Sequence, residues 1–387
     1  MSAAAGRSTP GPSGPIPAPA DRPELTPGPA ERAERAGRGP GLVRGEREAL
    51  ARLSRLLPGP PPGEVWFGDD AAVVGLPGAV AAGGATPPRG TTPPGGATPP
   101  GSGLGFLLLA TDTVVAGIDA DLSLTTLADL GWKAMAVNLS DIAAMGGVPG
   151  HALVSVVGLG PDELSVLYEG LLEAAATYRC PVVGGDLSGG AQPVVTVALT
   201  GWVDGRPILR RGARPGDTIW VTAPLGAAAA GLRLLREAAA EPGPPGRGRW
   251  GPAESNLVRA HARPRPALAE GAAARLAGAT AMIDVSDGLV ADVSSMAKLS
   301  AVGFELTDIP VAPGATLDEA LDGGEDYVLA FTMPGEDGPQ GSSVTGHFAA
   351  AGLPAPYLVG KCLPDPAQKL LGGRALSETG WGWEHQL

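Results

Sequence analysis

Cysteine is almost missing: Cys180 and Cys362 are the only two in 387 residues and stand far apart. That excludes a disulfide framework and any Cys-rich zinc site, and a reducing cytoplasmic setting follows. No run of roughly eighteen apolar residues occurs, and the N-terminus lacks the basic-then-apolar order of a signal peptide, so no membrane partner is expected. Positive charge is short as well, with 28 Lys+Arg against 40 Asp+Glu and a net charge of −12. Such a field repels nucleic acid and anionic membranes, so an anionic substrate would need metal ions or local arginines. Only four of the bases are lysines: Lys133, Lys298, Lys361 and Lys369. None stands in a GxxxxGK[ST] string, which excludes a P-loop kinase.

Glycine (60) and proline (41) are abundant instead. Residues 1–42 form a Pro/Gly/Ala-rich arm whose first 40 residues carry no apolar period and cannot offset their ordering entropy. Residues 75–105 hold GGATPP twice, starting at Gly83 and Gly95, and read as a low-complexity insertion looped out between two strands that still pair. Residues 239–252 repeat this on a smaller scale and read as an exposed loop.

The remainder alternates strand and helix patterns. An amphipathic helix over 43–56 is followed by strands at Glu64–Val74 and Leu107–Thr111 and a long helix over Thr125–Met145, stopped by Gly146-Gly147. A strand at Ala152–Gly158, a helix at Pro161–Tyr178 and a strand at Pro193–Val203 complete a first α/β unit, residues 43–205. A second unit, 206–387, has strands at Thr218–Thr222, Ala281–Val285, Gly303–Leu306, Tyr327–Thr332 and Tyr357–Val359. Its helices are Gly226–Glu237, Ala267–Leu276 and Leu289–Leu299. The fold class is α/β (α+β) in two domains with mixed sheets.

Five acidic motifs fall at the ends of these elements: Gly68-Asp69-Asp70, Thr111-Asp112-Thr113, Asn138 with Asp141, Gly184-Gly185-Asp186, and Asp284-Val285-Ser286-Asp287-Gly288. Carboxylates beside glycines offer hard oxygen donors with room for a ligand, the chemistry of Mg²⁺ and Mg²⁺-bound phosphate. Asn138 and Asp141 are three apart on one helix and share a face. Each motif alone also fits ordinary turn or N-cap use, as Asp162 and Asp287 illustrate. Asp112 is the exception, because it follows an apolar strand and is expected close to the core, where a carboxylate calls for a cation.

In this order and wording the motifs resemble the thiamine-monophosphate kinase family, of the superfamily that holds aminoimidazole ribonucleotide synthetase. The matching strings are VWFGDDAAVV (65–74), LATDTVVAG (109–117), KAMAVNLSDIAAMGG (133–147), VVGGDLSGG (182–190), RRGARPGDTIWVT (210–222), MIDVSDGLVADV (282–293) and GGEDYVLAFT (323–332). The resemblance implies the aminoimidazole ribonucleotide synthetase-like fold and a homodimer formed through the N-terminal domains, which bind metal and ATP. It also implies transfer of the ATP γ-phosphoryl group onto thiamine monophosphate, with several Mg²⁺ ions, to give thiamine diphosphate. By the same resemblance Asp70, Ala110 (through its carbonyl), Thr111, Asp112, Asp141, Asp186, Asp284 and Asp287 would hold metal. Gly185, Asp186, Arg210 and Ser286 would meet ATP. Asp119, Glu325 and an aromatic such as Trp381 or Trp383 would meet the thiamine substrate.

The acceptor is already a phosphate oxygen, so no general base is required, and positioning plus charge neutralisation carries the transfer. Arg210, with Arg211 and Arg214 beside it, could clamp phosphate; a solvated basic turn accounts equally for the last two. Two positions depart from the family pattern. Ala110 stands where Ser is usual, and Asp119 stands where His is usual. A carboxylate repels phosphate, so Asp119 is expected to face solvent or a cationic or donor part of the substrate. The rivals are a sister enzyme of the superfamily and a catalytically silent nucleotide-binding dimer.

Overall fold

The structure is a computed structural model that describes residues 60, 63–66, 69–75, 105–240, 250–335, 344–377 and 381–382. The N-terminal arm, the expected helix over 43–56, nearly all of the 75–105 insertion and Trp383 lie outside the described residues.

Five strands form the first sheet: β1 (Ala72–Gly75), β2 (Gly105–Val115), β3 (Val148–Val157), β4 (Val182–Ser188) and β5 (Val194–Asp204). Their order is β1-β2-β5-β3-β4, antiparallel except for the β3–β4 pair. Alternating Val, Thr and Leu along β5 place Val195, Val197, Leu199 and Val203 on the covered face. Helices α1 (Leu127–Ala144) and α2 (Pro161–Thr177) supply the cover. Thr126 caps α1 by accepting the Asp129 amide, and α1 stops where Gly146 turns left-handed at φ +67. The two helices pack closely: a Cβ on Gly170 would stand 1.7 Å from the Ala128 carbonyl oxygen, so only glycine permits this approach.

The second sheet has the order β12-β11-β8-β10-β6-β9-β7 and is also mixed. Its strands are β6 (Thr218–Val221), β7 (Ala281–Asp284), β8 (Gly303–Leu306), β9 (Leu329–Met333), β10 (Tyr357–Leu363), β11 (Lys369–Leu371) and β12 (Arg374–Ala375). Around it lie α3 (Ala227–Ala240), α4 (Pro252–Ala262), α5 (Leu268–Ala277), α6 (Leu289–Ser300), α7 (Leu317–Asp322) and α8 (Val344–Ala350). α6 covers one face, while α5 and α8 cover the other together with Ala143 and Ala144 from the end of α1.

α1 therefore lies between the two sheets and is tied to the second half. Trp132 donates its indole N–H to the Pro264 carbonyl at 2.9 Å. Arg263 lies 5.5 Å over the Trp132 ring and bonds Asp129 and Glu173, each at 2.6 Å. Arg275 reaches the carbonyls of Gly146 and Asp204. Among the described residues no helix is long and apolar enough to cross a membrane.

Several expectations change. Residues 64–74 are not one strand: the chain bends at Asp69-Asp70, Val65 bridges back to Val73, and only Ala72–Gly75 joins the sheet. Adjacent aspartates favour the turn over extension. The Gly184-Gly185-Asp186 motif lies inside edge strand β4, where Gly185 is needed because a Cβ would meet the Val154 carbonyl at 1.7 Å. Pro252, read as loop, opens α4 at its first turn, a position where the missing N–H costs nothing. As expected, β1 and β2 pair across the insertion, with Gly75 opposite Phe106.

Candidate active site

Three carboxylates from three elements meet at the junction of the two halves: Asp70 from the bend before β1, Asp141 from the last turn of α1, and Asp284 at the end of β7. Their oxygens lie within 4.8 Å of one another. Asp70 accepts from Arg210 Nε at 2.9 Å and from its terminal guanidinium nitrogen, while the other Asp70 oxygen is buried with no hydrogen-bond partner. Ser140 donates to Asp284 at 2.6 Å. Asp69 accepts the Arg210 backbone N–H at 3.0 Å, fixing the arginine from its main chain as well.

Burial, reinforced by Asp70, pushes the Asp284 carboxyl up to about 8 and that of Asp69 up to about 7. Asp141 is driven well above the ordinary range by burial and then by Asp112, Asp284 and Asp70. One arginine cannot neutralise this set, and acids held so close ionise together only around added positive charge. The donors are all hard oxygens, and one buried oxygen of Asp70 lacks a partner. The residues fit Mg²⁺.

Asp112 is exposed, against the expectation of a buried strand-end charge. It alternates in phase with buried Ala110 and Val114 and is near enough to Asp141 to raise its carboxyl. Its backbone N–H donates to Asn138 Oδ1 at 2.8 Å, so the Asn138/Asp141 face of α1 serves both the strand and the acidic cluster. Thr111 points to the other face of β2 and donates its hydroxyl to the Val197 carbonyl at 3.1 Å. Asp119 is partly exposed, four residues past the end of β2. Its carboxylate accepts the Val115 N–H at 2.7 Å and shapes the exit from β2.

The loop after β7 is held from one point. Asp292 accepts the N–H groups of Ser286, Asp287 and Gly288, each at 3.1 Å, and the Ser286 carbonyl accepts the Glu325 N–H at 2.7 Å. Trp381 is partly buried and donates to Ser377 at 3.0 Å, while its neighbour Gly382 packs over Asp287. Glu325 stands apart from the acidic cluster, between Lys133 and His261. Gly185 and Asp186 are separate too: Asp112, Val197, Val154 and Gly185 form one row across four strands. At about 4.8 Å per strand they lie about 14 Å from Asp112.

Sequence reasoning gave no site role to Asp69, Ser140, Asp292, Lys133 or His261. Lys133 carried a signal, being one of four lysines in an arginine-rich chain and standing inside a matching string.

A cleft of about 890 Å³ runs from Asp70 and Arg210 over the outer face of the first sheet, past Leu109, His151, Leu153 and Val183. A carboxylate cluster at the junction of two mixed α/β halves, opening onto a bare sheet face, defines the AIR synthase-like class. The family model described as AIR synthase related protein, N-terminal domain, matches residues 68–203. A thiamine-monophosphate kinase of Bacillus subtilis is 35% identical over 248 residues, covering 59% of this chain and 73% of the relative. One of Rhodopirellula baltica is 31% identical over 309 residues, 76% and 83% of the two. A solved structure described as AaThiL complexed with AMPPCP and TMP superimposes with a TM-score of 0.69 at 28% identity, covering 88% of this chain and 97% of the other. The chain belongs to the thiamine-monophosphate kinase family.

Proposed function

We propose that this protein transfers the γ-phosphoryl group of ATP in line onto the phosphate of thiamine monophosphate, with several Mg²⁺ ions, giving thiamine diphosphate and ADP. Family membership carries the coarser statement, that the chain is a thiamine-phosphate kinase using ATP. The finer one rests on a single observation, the crowding of Asp70, Asp141 and Asp284 within 4.8 Å around one arginine.

In this assignment Asp70, Asp112, Asp141, Asp284 and Asp287, with the carbonyls of Ala110 and Thr111, would hold Mg²⁺. When bound, the ions would neutralise the charge that two phosphate groups bring together. Arg210, oriented by Asp69 and Asp70, adds a guanidinium on the phosphate side. The Ser286–Gly288 amides are already engaged by Asp292, so Ser286 offers ATP its hydroxyl and Asp287 its carboxylate. No side chain need remove a proton, since the attacking oxygen is already ionised. Glu325 and Trp381 are assigned to the thiamine end. Asp119, tied to Val115, is assigned to shaping the loop that borders the substrate.

The domain division near residue 205, a cytoplasmic location and a homodimer through the first sheets belong to the same proposal. Leu109, Leu153 and Val183 are 40–59% exposed on the outer sheet face, an apolar surface that a second copy would cover. Gly185 and Asp186, on the β4 edge, would reach nucleotide and metal where two such sheets are apposed.

The test is ADP release by the full chain with Mg-ATP and either thiamine monophosphate or an aminoimidazole precursor. Turnover only with thiamine monophosphate is expected. Turnover only with the aminoimidazole precursor, or none with either, would overturn the proposal.

A further inference from the structure

Lys133 is 5% exposed, yet it meets none of the carboxylates of the acidic cluster. Its ammonium donates to one oxygen of Glu325 at 2.8 Å, and Nδ1 of His261, itself 8% exposed, lies 3.1 Å from the other as a charge contact without hydrogen-bond geometry. The three groups come from α1, α4 and the Gly323–Tyr327 turn, so the network spans the junction of the two halves. The turn is wound the unfavourable way: Gly324, Glu325 and Tyr327 have φ of +67°, +56° and +49°. It is pinned by the Glu325 and Tyr327 amides on the carbonyls of Ser286 and Val285, and by Asp326 on the amides of Gly226 and Ala228. A left-handed glutamate held this firmly, and a lysine buried only to meet it, are costly features for packing alone.

Their placement matters. Lys133 leaves α1 eight residues before Asp141, about 12 Å along the helix axis, a length of the same order as thiamine monophosphate. With Lys133 on one oxygen, Glu325 keeps open lone pairs but little uncompensated charge. It therefore suits a directed N–H donor better than a diffuse cation. Burial raises the Glu325 carboxyl, but Lys133 and His261 outweigh that and hold it down at about 2, so it stays an acceptor.

We propose that Lys133 and His261 are positioning and specificity residues: they lock Glu325 as an oriented hydrogen-bond acceptor for the aminopyrimidine amine of the substrate, rather than as a counter-ion for the thiazolium. The inference rests on the assignment of Glu325 to the thiamine end.

The experiment is steady-state kinetics of the full chain at saturating Mg-ATP, varying thiamine monophosphate or its 4-oxo analogue, which lacks the amine. Lys133→Met is expected to raise KM for thiamine monophosphate about tenfold, leave KM for ATP within about twofold, and cut discrimination against the 4-oxo analogue at least about fivefold. Lys133→Arg should restore most of the loss, and His261→Gln should show a smaller loss of the same pattern. Should Lys133→Met fail to fold, wild-type KM and discrimination in both Lys133→Arg and His261→Gln would overturn the inference. So would folded Lys133→Met with unchanged KM for thiamine monophosphate, provided that Glu325→Gln is impaired. A Glu325→Gln enzyme with normal KM would instead refute the assignment beneath it.

Discussion

Asp284→Asn should make the metal-free protein more stable while removing its response to Mg²⁺. Asp284 is 3% exposed at the end of β7, and burial beside Asp70 lifts its carboxyl from 3.8 to about 8. The sign follows from linkage. A carboxyl raised in the fold binds a proton that the unfolded chain has released, so stability falls as pH climbs from about 4 to about 8. At pH 7 that is roughly three units at about 1.4 kcal/mol each, or about 4 kcal/mol. Solvent entry and relaxation reduce such figures, and about 2 kcal/mol is the expected net gain. Asparagine has no proton to take up, and its oxygen can still accept from Ser140. For a chain of this size the gain should appear as a rise of about 2–3 °C in Tm.

Calorimetry at pH 7 with EDTA and with excess Mg²⁺ supplies both arms. Wild type should gain stability with Mg²⁺, by about 2.7 kcal/mol at a hundred times Kd, whereas Asp284→Asn should gain much less. A variant that is less stable than wild type in EDTA, and keeps the full Mg²⁺ response, would refute the claim that Asp284 is retained for metal at a cost to the fold.

The Mg²⁺ concentration needed for half-maximal turnover should fall as pH rises from 6 to 8.5, because ions must displace protons held at about 8 on Asp284 and about 7 on Asp69; a flat profile would contradict this. Gly170→Ala should lower stability by about 1–3 kcal/mol in denaturant titration, because its methyl would strike the Ala128 carbonyl and push α2 off the helix that carries Asp141. Replacing residues 79–102 by a few Gly and Ser residues should leave Tm and turnover nearly unchanged, since Gly75 and Phe106 are already paired across that gap. Asp119→Ala should leave KM for thiamine monophosphate within about threefold and cost about 1 kcal/mol of stability from the lost Val115 bond; a tenfold rise in KM would make Asp119 a direct substrate contact.

Periodicity and punctuation made the long elements legible. Thr126 and Gly146 bracket α1, Pro161 opens α2, and Val/Thr alternation marks β5. What failed were segments in which one residue type has two uses. Pro252 reads equally as loop or as a first helical turn, and consecutive glycines read as a turn although Gly184 and Gly185 lie in a strand beside the Val154 backbone. Asp112 failed for a different reason. Its place after an apolar strand was visible, but exposure depends on how the helices pack over the sheet, and that is tertiary. The acidic motifs were legible as candidates; which of them converge was not. Asp70, Asp141 and Asp284 meet from both halves, whereas Asp186 stays on the far edge of its sheet.

The convergence explains why α1 carries so many polar residues in a buried position. Lys133, Asn138 and Ser140 are each at most 5% exposed, and each spends its polar group on a residue of another element: Glu325, the Asp112 amide and Asp284. A helix wedged between two sheets would be more stable with apolar side chains at those positions. Instead its apolar residues, Leu130, Met135, Leu139 and Ile142, face the first core, and its polar ones form a track along the junction. The track gives one rigid element control over the acidic cluster at its C-terminal end and over Glu325 nearer its start. Displacing α1 as a body should then disturb metal and thiamine recognition together, whereas Lys133→Met should disturb thiamine recognition alone. An unchanged KM for Mg-ATP in the Lys133→Met enzyme separates the two effects.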